Sequence, residues 1–588
     1  MQLRCNPPLP QAGEESRTLL LASLAGEVER EAWRRGTAID VINSFALKVT
    51  NWFLNGHYMI AKSYDYIIVG GGSAGCVLAN RLTANPDCKV LLVEAGGNDK
   101  NILYKWPAGF AKMTKGIGSW GWSTVPQKHM KDRVFWFTLP KVIGGGSTIN
   151  AQIYTRGNRQ DFDLWAQLGC TGWSYDHVLP YFRKAEDNDT FNNEAHGKGG
   201  PIGVSQPRFP MPIARATQKA AEQFGIPFNA DLSSGEPAGW GFYQLTQRNA
   251  RRSSTSQEYL RPAMARPNLT VVLNCLTRRI VLDGKRVIGI DIIQEDGPEQ
   301  RVHASQEVLL SAGTVGSARL LQLSGIGPAE HLKSVGITPL HNLKGVGSNL
   351  QDHLDMCVIA ECNGDHTFDK YGKPHWAALA GLRYMLTKSG PAASSLFDSG
   401  GFWYVDENAD APDMQFHVGM GSGIEAGIAK LKNGGLTINS AYMRPRSRGT
   451  VRLKSDDFKE PPLIDPNYWS DPHDREMSLR GVRMAREVLK QPALKDFILG
   501  ERVPGLDVTS DEALIDYGCR MAKTDHHPTS TCAMGRNDDS VVDLDLRIHG
   551  LKGIRIVDAS IMPSVVSSNT NATVIMIAEK AAVLILSQ

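Results

Sequence analysis

Three features of the 588-residue sequence predict an α/β fold with two unlike parts. First, the apolar run Tyr66-Ile67-Ile68-Val69 passes directly into the glycine turn Gly70-Gly71-Gly72-Ser73-Ala74-Gly75. Second, Val308-Leu309-Leu310 enters another such turn at Ser311-Ala312-Gly313, and Ile554 to Val557 enters Asp558-Ala559-Ser560 before an apolar helix from Ala572 to Leu586. Third, residues 355–450 carry many aromatics in alternating patterns, as expected of an antiparallel sheet that walls a pocket.

The first unit reads as a Rossmann-like dinucleotide site. Gly70, Gly72 and Gly75 make a G-x-G-x-x-G turn between a strand and a helix over Cys76 to Leu82. Gly70 permits the tight turn, Gly72 lets backbone approach a pyrophosphate, and Gly75 lets helix pack close to strand. Ser73 and Ala74 belong to the same turn, where a helix N-terminus leaves N–H groups for the pyrophosphate. A second strand, Lys89 to Val93, ends in Glu94, 19 residues past Gly75. A carboxylate at that place accepts hydrogen bonds from ribose hydroxyls.

Further along, Gly144-Gly145-Gly146-Ser147-Thr148-Ile149-Asn150 is a second glycine cluster. Residues from about Asp161 to Glu186 have helical periodicity, and Asn192 to Ser205 reads as loop. Leu269 to Leu273, Arg279 to Leu282 and Val287 to Ile293 form a strand series with a turn at Asp283-Gly284. The expected organisation is an N-terminal extension (1–63), a nucleotide-binding region (64–354, with part of the second domain inserted at about 205–260), a substrate region (355–540), and a return to the first domain (541–588).

Composition excludes several classes. Sixty-four Lys+Arg against 61 Asp+Glu give +3, which offers no nucleic-acid surface. Nine cysteines without a CxxC pair predict reduced thiols and no metal centre. No apolar run reaches the ~18–20 residues of a membrane span. Leu19 to Ala25 is apolar, but Glu14 and Glu15 precede it where a signal peptide carries positive charge. The expected location is therefore cytoplasmic, with peripheral contact at the inner membrane left open. Met59, just before the first strand, is the expected natural start. Oligomeric state is not legible.

Five separated features occur in order: the first glycine turn, the 144–150 cluster, the Ser311–Gly327 block, His526-His527-Pro528, and Asp558-Ala559-Ser560 followed by Ser567-Ser568-Asn569. From about Tyr64 onward the chain thereby resembles the glucose–methanol–choline family of FAD-dependent alcohol oxidoreductases. Phe110-Ala111-Lys112-Met113-Thr114, Phe368-Asp369-Lys370-Tyr371 and His527-Pro528-Thr529 near Cys532 are similar to those of bacterial L-sorbose dehydrogenases. Polyethylene-glycol, aliphatic-alcohol and choline dehydrogenases are the alternatives within the family.

The resemblance implies a catalytic pair, His527 and Asn569. An imidazole near its ordinary pKa can take a hydroxyl proton, and an amide N–H can hold the developing alkoxide. The hydride then goes to flavin N5. His526 and His527 are expected to point to opposite faces, as neighbours in extended chain do, with His527 facing the flavin. The resemblance also sets Gly145, Gly146, Asn150, Ala151 and Ile153 along the flavin, and Asp558 and Ala559 near its pyrophosphate and ribityl parts; Thr277, by its place in the strand series, is expected to pass its backbone by the adenine. Some relatives attach FAD through a His at the position of Ile149; isoleucine cannot form that bond, so non-covalent FAD is expected. The implied partners are a small alcohol or sugar and a quinone or other acceptor. An O₂-dependent oxidase, a hydroxynitrile lyase retaining FAD, and a non-catalytic flavoprotein are the rival readings.

Overall fold

The computed structural model describes residues 60–113, 116–295, 297–423 and 431–587. The expectations about Met59 and the preceding residues fall outside them.

The chain opens with strand β1 (Ser63–Val69), helix α1 (Ser73–Leu82) and strand β2 (Val90–Val93). There follow helices α2 (Gly146–Ile149), α3 (Arg159–Gln167), α4 (Tyr175–Ala185) and α5 (Pro212–Phe224). Strands β3 (Leu269–Val272), β4 (Cys275–Asp283), β5 (Arg286–Gln294) and β6 (Glu299–Leu310) then lead into helix α6 (Gly313–Leu323). The second part holds β7 (Leu354–Cys362), α7 (Pro374–Thr387), β8 (Ser399–Trp403), β9 (Met414–Gly419), β10 (Gly435–Tyr442), α8 (Pro472–Leu489), β11 (Ile498–Val503), α9 (Asp511–Met521) and β12 (Lys523–Thr524). Strand β13 (Ile554–Ile556) and helix α10 (Asn571–Leu586) complete it.

The first sheet runs β3-β2-β1-β6-β5-β4, with β13 also on β6. The β3-β2-β1-β6 pairings and β6–β13 are parallel, while the β4, β5 and β6 pairings are antiparallel. Parallel strands between helical layers lose water on both faces, so they read as unbroken apolar runs. Ile67, Ile68, Val90, Leu91, Leu92 and Val308 to Leu310 are indeed wholly buried. The C-terminal helix α10 packs on α1 and α4. Its buried Glu579 accepts hydrogen bonds from Arg81 and from the Tyr259 hydroxyl (2.7 Å), tying the chain's end to its first helix.

The second sheet is antiparallel throughout, in the order β8-β9-β10-β7-β11, with β12 paired to β7. Helix α8 covers β10 and β7. The 239–243 segment joins this sheet, for Tyr243 Oη donates to Phe416 O at 2.7 Å and Ala238 bridges to Phe402. One expectation needs correcting. The helical stretch from Asp161 to Glu186 is two helices, α3 and α4. Gly169 (φ 96°) and Gly172 (φ 85°) adopt left-handed backbone between them, which a continuous helix cannot contain.

Candidate active site

The two sheets meet at a cavity of about 350 Å³. On the side of the first sheet it is lined by Gly70, Gly72, Ser73, Ala74, Glu94, Gly145, Gly146, Asn150, Ala151, Ile153, Thr277, Asp558 and Ala559. Gly75 is the exception among the expected cofactor residues, since it does not line the cavity. A Cβ there would stand 2.0 Å from Gly70 O, so its bare backbone serves the packing of α1 on the turn.

This wall suits an anionic dinucleotide. Helices α1, α6 and α10 all begin at it, at Ser73, Gly313 and Asn571. The first-turn N–H groups and dipoles of α1 and α10 favour a pyrophosphate, whereas α6 already has its Gly313 N–H on the Asp558 carboxyl. A Cβ built on Gly146 or Gly313 meets no protein atom within 4 Å, so both glycines face open cavity. The buried hydroxyls of Thr277 and Ser311 have no protein partner. Glu94 accepts from Gly71 N–H (2.7 Å) and Gly96 N–H (2.6 Å), and burial pushes its carboxyl up to about 7. Asp558 caps its own turn through Ser560 N–H and also accepts from Gly313 N–H (2.9 Å), joining the C-terminal turn to the second glycine turn. Behind the 144–150 cluster, Arg252 Nη1 donates to Asn150 Oδ1 at 2.6 Å; burial lowers this guanidinium to about 9. Ile149 is buried and lines the cavity, so a cofactor here is held without a bond through that position. Acid precipitation of the purified protein is accordingly expected to leave the yellow colour in the supernatant; colour retained in the pellet would show a covalent link elsewhere.

The opposite wall carries His527 and Asn569, brought together across 42 residues with Nε2 and Nδ2 3.2 Å apart. His353 Nε2 lies 3.1 Å from Met443 O, a pure acceptor, so that nitrogen bears the proton. His353 Nδ1 is then a lone pair, and it takes the His527 Nδ1–H at 3.0 Å. His527 is thereby held as the tautomer with a bare Nε2 towards the amide of Asn569. Asn569 Oδ1 accepts from Gln415 Nε2 (3.0 Å) and Thr155 Oγ1 (3.1 Å), which turns the amide nitrogen to His527. The His527 backbone N–H donates to Asp352 Oδ1 at 2.8 Å, and Tyr468 and Thr524 donate to Oδ2 of the same buried carboxyl.

Two expectations about the histidines change. His526 lines the cavity beside His527 instead of facing away. Its φ is 60°, and this left-handed step breaks the alternation of extended chain. His527 also does not keep an ordinary imidazole pKa. Burial, then the neighbouring His353, His417 and His526, lower it to about 3, against an opposing pull from Asp525. Burial lowers His353 to about 4.

Asp355, His417 and Asp525 converge closely enough to hold a metal ion. Lys523 already supplies the positive charge, its Nζ lying 2.7 Å from Asp355 and 3.8 Å from Asp525. Burial raises Asp525, but His417, His527 and Lys523 together hold its carboxyl below the usual carboxylate range.

His353, Asp352, Gln415 and His417 escaped the sequence reading. A signal existed for the last two, since Met414-Gln415-Phe416-His417-Val418 alternates apolar and polar, which in a strand puts both polar side chains on one face. For His353 the available sign was a polar run, Gln351-Asp352-His353, directly before an apolar strand.

A strand–glycine–helix fold that cradles a dinucleotide opposite a His–Asn pair defines a flavoprotein oxidoreductase. The GMC oxidoreductase family models match residues 64–355 (N-terminal part) and 445–578 (C-terminal part), and the chain belongs to this family. It is 38% identical over 527 residues to an alcohol dehydrogenase [acceptor] of Pseudomonas putida, covering 89% of this chain and 95% of that one. It is 40% identical over 530 residues to an oxygen-dependent choline dehydrogenase of the same species, strain KT2440, covering 89% and 94%. Among solved structures, an FAD-dependent oxidoreductase from Chaetomium thermophilum superposes with a TM-score of 0.83 at 27% identity, covering 89% and 99%. The protein is thus an FAD-dependent oxidoreductase acting on an alcohol CH–OH group.

Proposed function

We propose that this enzyme oxidises one hydroxyl of a polyhydroxylated substrate, with L-sorbose to L-sorbosone as the representative reaction, and passes the electrons to a quinone or another acceptor that is not NAD. The observation that carries this reading is the lining near His527. His417, Asn439, Lys523, Asp525 and His526 all face the cavity there. A sugar can hydrogen-bond such groups, whereas an alkyl chain would strip their water and return nothing. A quaternary ammonium such as choline would meet carboxylates already paired with Lys523.

In this reading His527 Nε2 takes the hydroxyl proton, and Asn569 Nδ2–H holds the oxygen as negative charge grows on it. FAD, when bound, supplies the hydride acceptor. His353 keeps the proton of His527 on Nδ1 and so keeps Nε2 free to act. The base must be neutral, and its folded pKa is depressed to about 3. Protonation therefore costs activity only as pH falls towards that value. His527 itself is therefore expected to add no inflection to the rate of flavin reduction between about pH 5 and about pH 9, while burial places the Asp352 and Glu94 carboxyls at about 7 within that window. A rate already falling tenfold per pH unit at about pH 5 would show a base with an ordinary imidazole pKa.

Anaerobic mixing of the purified protein with L-sorbose, with a primary alcohol and with choline tests the substrate. Bleaching of the flavin band by the sugar alone supports the proposal. Bleaching by choline or the alkanol alone replaces it with the activity named for the relatives. No bleaching by any of them favours the lyase reading. Slow recovery of colour in air marks a dehydrogenase, and fast recovery an oxidase.

A further inference from the structure

Helix α7 has an unusual surface. Of the twenty large hydrophobic side chains exposed among the described residues, five stand on its fourteen positions. They are Trp376, Leu379, Leu382, Met385 and Leu386, exposed by 40% at Trp376 to 76% at Leu386. Isolated exposed apolar side chains are ordinary, whereas a contiguous stripe marks a surface that meets another apolar phase. At 100° per residue these five fall on the face opposite Ala380, Gly381 and Tyr384, the helix's buried residues. Ala380, Gly381 and Tyr384 sit on the protein body, where Gly381 lies against Trp106 and Tyr384 donates to Ala250 O at 2.7 Å. The five apolar side chains of the stripe point away from it.

The charges around this stripe have one sign. Lys370, Lys373, Arg383 and Lys388 belong to the segment, and no acidic residue occurs between Asp369 and Asp398. Lys370 stands over the Trp376 ring (5.7 Å to its centre), so its stem lies along the apolar surface, and Lys388 stands over Tyr384 at the helix's C-terminal end (5.0 Å). A protein partner with an apolar groove would not require four cations in a segment that carries no acid. An anionic bilayer would, because its headgroups are negative just above the depth where leucine and tryptophan settle.

We propose that α7 is an interfacial helix that docks this enzyme on anionic lipid, with Trp376, Leu379, Leu382, Met385 and Leu386 in the acyl boundary and the four cations at the phosphates. It lies in the interface and does not cross, for no helix among the described residues is long and apolar enough to span a membrane. The helix packs on the short 368–372 and 391–393 turns, and the latter pack on 107–109. Phe110 and Phe397, which follow these segments, line the active-site cavity. Docking through α7 therefore sets the cavity's wall close to the lipid surface, independently of which alcohol is oxidised.

The test is flotation of the full-length flavoprotein with vesicles of phosphatidylcholine alone and of an equimolar phosphatidylcholine–phosphatidylglycerol mixture. The wild type is expected to float with the mixed vesicles and much less with the neutral ones. Leu382→Ser/Leu386→Ser should lower the bound fraction by about tenfold or more while keeping the flavin spectrum and the soluble rate of flavin reduction. Leu379→Ser/Met385→Ser tests the same face should the first pair fold poorly. Lys373→Gln/Lys388→Gln should lower binding to the mixed vesicles only. A wild type that stays unbound on the mixed vesicles would overturn the proposal, as would leucine variants that float like it. A lipid-free dimer that the leucine substitutions convert to monomer would assign the face to a second copy of the chain instead.

Discussion

His527→Ala is expected to purify as a yellow protein whose flavin is reduced by substrate about 10²–10⁴-fold more slowly than in the wild type. The loss follows from the geometry around Nε2. That atom is the lone pair that His353 exposes by accepting the Nδ1 proton, and it lies 3.2 Å from the Asn569 amide. Alanine removes the proton acceptor and leaves the cofactor wall untouched, since no residue of the glycine turns contacts the imidazole through a hydrogen bond. Rapid anaerobic mixing measures the rate directly, and the flavin absorbance reports retention of FAD. Undiminished reduction in this variant would take His527 out of the mechanism. His353→Asn is the companion experiment. It should keep a measurable rate but move its pH dependence, because it disturbs the tautomer of His527 and not the base itself.

Two glycine substitutions should part the fold from the cofactor cradle. In Gly75→Ala the new Cβ would lie 2.0 Å from the carbonyl oxygen of Gly70. Backbone cannot yield as a side chain does, so α1 must move off the turn, at the upper end of the ~1–3 kcal/mol of overpacking or beyond. The expected result is poor soluble yield and colourless protein. In Gly146→Ala the Cβ meets no protein atom within 4 Å, because it projects into the cavity. That chain should fold with the thermal stability of the wild-type apoprotein and bind FAD about tenfold to a hundredfold more weakly, the equivalent of displacing the flavin by one methyl group. Thermal melting of both apoproteins and FAD titration measure the two effects separately. Equal FAD affinity in Gly146→Ala would mean that the cofactor does not approach this turn.

The features legible in the sequence were those whose cause is local. A strand buried on both faces is an apolar run wherever it stands, so β1, β2, β6 and β13 could be read from Tyr66–Val69, Lys89–Val93, Val308–Leu310 and Ile554–Val557. Close passage of backbone past backbone excludes a Cβ, so Gly70 and Gly75 are readable as a turn from residue type alone. The helix boundary at Gly169 and Gly172 was misread because glycine also occurs within helices, and only φ distinguishes the cases.

Other features were set by groups far apart along the chain. His353 meets His527 across 174 residues, and Gln415 meets Asn569 across 154. The left-handed φ of His526 is announced by no residue type. The lowered pKa of His527 comes from the water that surrounding segments exclude. The apolar stripe of α7 is equally ambiguous in sequence, since a leucine-rich helix is ordinarily core, and only packing shows that Ala380, Gly381 and Tyr384 face inward while its leucines do not. By itself, then, the sequence determined the dinucleotide fold and its glycine turns, because each depends on residue type at a local spacing, while the His–Asn pair came from the family resemblance. The tertiary structure alone decided which nitrogen of His527 is bare, what holds Asn569, and which apolar faces remain exposed, because these depend on which distant groups fold into contact.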